Sequence, residues 1–305
     1  MSPRQTRSQT KAANVVNNPL LDIEGLTLSN PPIDPPVDGH GISKLPTTLS
    51  RAITGLKAKD HKLLLRKQAW LQQYSLEVPT QFAKRTAALD ATLVFAQEEA
   101  GTAVCIAPNG MLLTCSHCVA ENIDERNDLK HHWLLFKSGV AVRAACLAWD
   151  GKRDLALLRV VAHRESEDTE LSHFPFVAIS SVAPSLNSRL VCVGHPGSED
   201  LEASQPGIKT NYDVLHVSTG RFRGCAEDQD PQDNSEIGAL MHDCWTYWGH
   251  SGAPLLDMKT GKLIGLHSSW DDETCMRRGV PLEAILEFLE ENKEHVPLIY
   301  EETKR

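Results

Sequence analysis

The amino-acid sequence predicts an all-β sandwich or barrel fold from about residue 89 onward, preceded by a short helical stretch and a polar tail. Three observations carry that prediction. Apolar runs of strand length recur at short intervals, separated by polar turns. An Asn109-Gly110 pair joins two such runs, which is the turn chemistry of a hairpin. The runs also fall into two groups, one ending near Phe176 and one beginning near Arg189, so two barrels are implied although no internal repeat is visible.

Residues 1–45 are rich in Pro, Asn, Ser and Thr, and Pro31-Pro32-Ile33-Asp34-Pro35-Pro36 continues neither a helix nor a central strand. This stretch reads as a disordered tail with a basic tip at Arg4, Arg7 and Lys11, a solvated segment or a weak localisation or docking signal. Residues 46–86 change character. Helix formers with a basic face run from Lys57 to Leu71, with Asp60 as the candidate N-cap, and predict one or two helices packed on or connected to the main body. A partner-binding amphipathic helix is the alternative reading.

Strands are expected over Ala91–Ala96, Thr102–Ala107, Met111–Ser116, Trp133–Phe136, Ala141–Ala148 and Leu155–Val160 in the first group. The second group has Arg189–Gly194, a run from Tyr212 to Phe222, Gly238–Asp243, and a hairpin of Leu255–Met258 and Leu263–Ser268 about Lys259-Thr260-Gly261. A helix closes the pattern from Pro281 to Lys293, with Pro in its first turn and Leu282, Ile285, Leu286 and Leu289 on one face. Acidic clusters at 121–128, 165–170 and 227–233 read as solvated loop charge.

The chain has 305 residues with 41% hydrophobic content, enough for a sizeable core. A net charge of −9 argues against a nucleic-acid partner, which needs a basic face. No run approaches the ~20 apolar residues of a membrane span, so no membrane partner is expected. The first residues lack an apolar signal-peptide core, and the expected location is intracellular, cytoplasmic or nuclear. The eight cysteines then read as mostly reduced thiols, with Cys105, Cys115, Cys146 and Cys192 inside apolar runs and Cys244 and Cys275 flanking the presumed pocket.

The stretch that organises the second group is Trp248-Gly249-His250-Ser251-Gly252-Ala253-Pro254. A serine between glycines suggests a nucleophile on a tight turn, where Gly249 bends without a Cβ in the way. The backbone N–H groups of Gly249 and Ser251 are then placed to hold a developing oxyanion. Serine needs a base and an orienting carboxylate. His117 closes the run Met111–Ser116, and Asp154 opens the run Leu155–Val160, with Asp150 and Asp243 as rivals for the carboxylate. Cys115 and Cys118 flanking His117 also permit a zinc corner completed by His131 and His132. A histidine serving as general base cannot hold a structural metal, so neither metal nor cofactor is expected.

These motifs resemble the trypsin-like (chymotrypsin-fold) serine proteases, nearest to the glutamyl endopeptidases and Deg-type proteases. The matching pieces are Gly101–Ile106, Leu113–Val119, Arg153–Leu158, Gly249–Leu255 and Ile264–Ser268, spanning roughly 88–295. The departures are Cys115-Ser116 where Ala-Ala is usual and Ala253 where a third glycine is common. The resemblance implies two six-stranded antiparallel β-barrels within a protease domain at 87–298: barrel one about 87–176, barrel two about 177–280, and the C-terminal helix 281–293. It implies a His117–Asp154–Ser251 triad in that chain order, an oxyanion hole at Gly249 and Ser251, and a polypeptide substrate held by Trp245, His267, Ser268 and Trp270. His267 at the pocket wall suggests an acidic side chain in the substrate, whereas Trp245 and Trp270 favour a larger apolar one. A catalytically silent binding module of the same fold and an esterase are the alternatives, the first if Trp245, Trp248 or Trp270 blocks the pocket.

Overall fold

Two closed barrels make up the body of this computed structural model, which describes residues 41–74, 76–96, 101–128, 131–164, 173–205 and 207–296. The N-terminal part supplies β1 (Ser43–Leu45), α1 (Arg51–Thr54) and α2 (Ala58–Gln73). After α3 (Ala87–Asp90), barrel one is built from β2 (Thr92–Phe95), β3 (Thr102–Ala107) and β4 (Met111–Thr114). Helix α4 (Ile123–Asp128) follows, then β5 (His132–Phe136), β6 (Ala141–Asp150) and β7 (Leu155–Arg164). Barrel two contains β8 (Arg189–Gly194), β9 (His216–Cys225), β10 (Leu240–His242), β11 (Pro254–Asp257), β12 (Leu263–Asp271) and β13 (Met276–Pro281), and α5 (Leu282–Glu291) ends the described chain's helices.

In barrel one the strands pair in the order β7-β4-β3-β2-β5-β6, and β6 returns to β7 to close the ring. In barrel two the closed order is β10-β13-β12-β11-β8-β9. Both rings are antiparallel and six-stranded, as the sequence predicts. The strand β3 is buried along its whole length, as is β4, because one face fills the barrel and the other is covered. One core runs through barrel one and on into Val191, Val193, Leu256 and Leu266 of barrel two and Ile285 and Phe288 of α5. A smaller core around Leu190, Cys192, Cys244, Leu255 and Ile264 fills the interior of barrel two.

Several expectations need correction. Residues 43–45 are not part of a tail; they form β1, which adds in parallel to β7 at Ser43↔Ala162. The tail reading otherwise concerns residues 1–40, and the acidic cluster at 165–170 likewise lies outside the described residues. Asp60 is in the first turn of α2, whose N-cap is Lys57, while Ser50 caps α1 through a bond from the Ile53 N–H to its Oγ. Strand β13 was not expected, since Met276-Arg277-Arg278 reads as polar; Arg278 is nonetheless buried, its Nε donating to the Gly238 carbonyl at 2.9 Å. In α5 Pro281 is the N-cap, and Phe288 rather than the exposed Leu286 completes the buried stripe with Leu282, Ile285 and Leu289. No described helix is long and apolar enough to cross a membrane.

The helical extension is packed into the body. Leu64 and Leu71 of α2 belong to the core of barrel one. Two polar side chains on the same face reach buried backbone: Lys67 Nζ donates to the Phe95 carbonyl at 2.7 Å, and Gln68 Nε2 to that of Gly139 at 2.8 Å. Trp133 Nε1 returns a bond to the Thr54 carbonyl at 3.2 Å. At the far end burial, and after it the nearby Asp213 carboxylate ahead of β9, raise the Tyr74 hydroxyl above its ordinary range. Leu64→Ala is therefore expected to lower the stability of the whole domain by ~2–5 kcal/mol, measured by urea unfolding of the full chain. An unchanged midpoint would mean the extension is an independent appendage.

Candidate active site

The site begins where β4 ends. The chain tightens into a single turn at Ser116–Cys118, and the Ser116 carbonyl is pinned by Trp149 Nε1 at 3.0 Å. Asp154 sits at the mouth of β7 with φ +56°, a left-handed conformation that Asp tolerates better than most residues. Its side chain is fully buried, and its Oδ1 accepts from His117 Nδ1 at 2.8 Å, Ser116 Oγ at 3.0 Å and the His117 N–H at 3.3 Å. Three donors on one buried carboxylate fix the imidazole orientation. The rivals are engaged elsewhere: Asp150 takes Arg153 through both oxygens, and Asp243 takes the Arg221 N–H and Arg223.

Barrel two brings the nucleophile turn against this pair. The thiol of Cys118, next to His117, meets the Ser251 carbonyl at 3.4 Å, and Ser251 Oγ donates to the Ser268 carbonyl at 3.2 Å. Four successive peptide units of the turn are held by their carbonyls. Trp248 O accepts from Gly197 N–H at 2.6 Å, and Gly249 O from Thr102 Oγ1 at 3.2 Å. His250 O accepts from Ala253 N–H at 2.7 Å, and Ser251 O from Thr102 N–H at 2.9 Å. In a trans peptide the N–H points opposite the carbonyl. The second and fourth units use that N–H as well, His250 to Tyr247 O at 3.0 Å and Gly252 to His267 O at 2.9 Å. The first and third do not: among the described residues no acceptor meets the N–H of Gly249 or Ser251. Gly249 has φ +102°, which a side chain would oppose.

Residues 101–266, more than half of the chain, match the family described as the trypsin-like peptidase domain. The chain belongs to that family. It is a serine-type peptidase domain with the family's two-barrel fold. Among solved structures, it is similar to a serine endoprotease from Yersinia pestis, with a TM-score of 0.49 and 19% identity over 70% of this chain and 67% of that one. It is also similar to Rv3671c from M. tuberculosis H37Rv, with a TM-score of 0.49 and 14% identity over 73% of this chain and 98% of that one. The HtrA-type protease AlgW matches with a TM-score of 0.46 and 19% identity, and this chain spans about half of it, 52%. No curated protein sequence matches the chain.

The expected pocket residues of this peptidase domain have different surroundings. Ser268 lies against Ser251 through its carbonyl. Trp245 is packed edge-on by Tyr212, His216 and His250 and lines an open cleft of about 450 Å³ with Asn211, Tyr212, Asp213 and His216. Trp270 is half exposed with the Arg277 guanidinium over its ring at 4.4 Å. Trp248 is also exposed, so it does not fill the cleft. His267 is buried and shares a 3.1 Å hydrogen bond with His242 Nε2 through Nδ1.

Of the possible zinc ligands, Cys115 falls within 4.8 Å of His117 and Asp154. His117 and Asp154 are already bonded to each other, and His132 instead packs edge-on against Phe95. All eight cysteines are free thiols. Burial pushes Cys105 and Cys244 up to about 12, which leaves them protonated and inert.

Sequence reasoning missed His242 and His250. Burial drives His242 down to about 3, and both burial and the neighbouring histidines hold His250 and His267 well below the ordinary histidine range. Burial likewise lowers His132 to about 4. These rings are neutral when folded, while the unfolded chain takes up protons below about pH 6.5. Stability is thus full above that value and falls as pH drops toward the folded values, by roughly 1.4 kcal/mol per pH unit for each histidine. Urea midpoints should drop steeply between about pH 6.5 and about pH 4, and His242→Gln should flatten the slope. A midpoint independent of pH over that range would contradict the neutral cluster.

Proposed function

We propose that the protein is a serine endopeptidase that hydrolyses polypeptides through a His117–Asp154–Ser251 triad and an acyl-enzyme intermediate. The observation that carries this reading is the 2.8 Å bond from His117 Nδ1 to the buried Asp154 carboxylate. It presets the tautomer in which Nε2 is the basic nitrogen. Ser251 Oγ attacks the scissile carbonyl while His117 takes its proton. The tetrahedral oxyanion is received by the N–H groups of Gly249 and Ser251. His117 then protonates the leaving amine, and water repeats the sequence to release the acid. Asp154 stays ionised and steadies the imidazolium.

For the substrate side chain we propose a wall formed by Ser268 and Trp245. The aromatic surface of Trp245 supports a larger apolar side chain. His267, neutral and bonded to His242, supplies no positive charge to an acidic one. The free thiols support a reducing, intracellular setting. The second reading, a silent binding module, is favoured by one observation: the Ser251 hydroxyl is turned to the Ser268 carbonyl. Catalysis requires it to rotate about χ1 toward the imidazole, a step open to a half-buried serine.

A fluorophosphonate probe separates the two readings. Labelling that disappears in Ser251→Ala is expected, and Ser251→Ala, His117→Ala and Asp154→Asn should each lower kcat on a peptide substrate by ~10⁴-fold or more. Absence of labelling in the folded wild type would establish the binding module instead.

A further inference from the structure

We propose that Thr102 is a positioning residue that holds the oxyanion hole in its receptive form; this rests on the reading of Gly249 and Ser251 as that hole. Thr102 opens β3 of barrel one and is fully buried. It grips the nucleophile turn of barrel two at two places. Its N–H donates to Ser251 O at 2.9 Å, and its Oγ1 donates to Gly249 O at 3.2 Å. The same hydroxyl accepts from the His195 N–H at 3.0 Å. A hydroxyl has one proton and two lone pairs, so giving the proton to Gly249 O leaves a lone pair for His195. The Thr102 carbonyl is in turn held by Thr114 Oγ1 at 2.7 Å.

The two carbonyls Thr102 grips belong to the two peptide units that alternate with the units carrying the free N–H groups. Fixing alternate units fixes the torsions on either side of the others. The restraint matters most at Gly249, where the absence of a Cβ leaves ψ without steric preference. Once the Gly249–His250 unit turns, the Ser251 N–H turns with the rest of the loop and the two donors diverge. The Thr102 hydroxyl touches no substrate in this scheme; it acts through the turn. Losing it removes a donor to Gly249 O and an acceptor from the His195 N–H, which favours rearrangement of the loop around them.

The test compares full-length wild type, Thr102→Val and Thr102→Ser on a fluorogenic peptide chosen from a library cleaved by wild type. Valine keeps the shape and the backbone N–H but removes the hydroxyl. The expected result is a kcat lower by about 10–100-fold with KM within about threefold, since a misdirected donor harms the transition state and not ground-state binding. Serine should restore kcat to within about threefold of wild type. Affinity for a peptide aldehyde, whose hemiacetal oxygen occupies the hole, should fall in parallel with kcat. An unchanged kcat in valine, an effect confined to KM, or a serine variant as impaired as valine would each overturn the inference. Thermal melting reports whether the valine variant folds; if it does not, Thr102→Ala carries the same comparison with serine. If Ser251→Ala retains activity, the oxyanion reading itself has failed. If Ser251→Ala is inactive and the valine variant is not, only the role of Thr102 has failed.

Discussion

A Cβ on residue 252 would lie 2.1 Å from the Thr102 carbonyl oxygen and 2.4 Å from Thr114 Oγ1, and Gly252 itself sits at φ +81°. That contact is the constraint on which the molecule depends. It sets how closely the turn of barrel two approaches β3 of barrel one. Neither barrel holds the proposed triad alone: His117 and Asp154 come from one ring and Ser251 from the other. The core shared between the rings fixes their separation, and a glycine lets the backbones meet. Val191, Val193 and Leu266 lie in the same apolar cluster as Leu112 and Leu157, so displacing one ring from the other exposes core surface. Close packing makes the geometry of the proposed site a by-product of stability.

Behind the turn the site stands on neutral histidines. His250 packs so closely on Gly194 that a Cβ there would come within 2.2 Å of its ring. Its Nδ1 meets backbone atoms of Tyr247 at 3.1 Å, so the residue beside Ser251 braces the loop from within. His242 and His267 share one hydrogen bond, which a pair of neutral imidazoles satisfies without burying a charge. The layer behind the turn is therefore polar in composition yet uncharged.

Much of this was legible in the sequence because it was local. The Asn109-Gly110 hairpin, the glycine-flanked Ser251, and an Asp opening an apolar run each carry their chemistry within a few residues. That Asp154, and not Asp150 or Asp243, meets His117 was also legible, since only Asp154 begins a buried strand. What was hidden depends on partners distant in sequence. β13 has the polar residues of an edge strand, and only its pairing with β10 and β12 shows why Arg278 lies inside. β1 is three residues long and is defined by β7, more than a hundred positions away. The interplay of Thr102 with Gly249 spans 147 positions, and nothing in Gly-Thr-Ala-Val announces it. His267 stood in the expected strand, but its pairing with His242 could not be read from either segment.

Ring closure also bears on where this chain can be cut. The stretch that carries the family likeness begins at residue 101 and ends at residue 266. It omits β2, which joins β3 to β5, and β13, which joins β10 to β12. A fragment trimmed to those limits contains the whole proposed triad yet has a gap in each ring, with unpaired strand edges on either side of it. Such edges recruit strands from other molecules. Closing both rings takes the chain from β2 through β13, and α2, whose Leu64 and Leu71 enter the core of barrel one, lies ahead of that span.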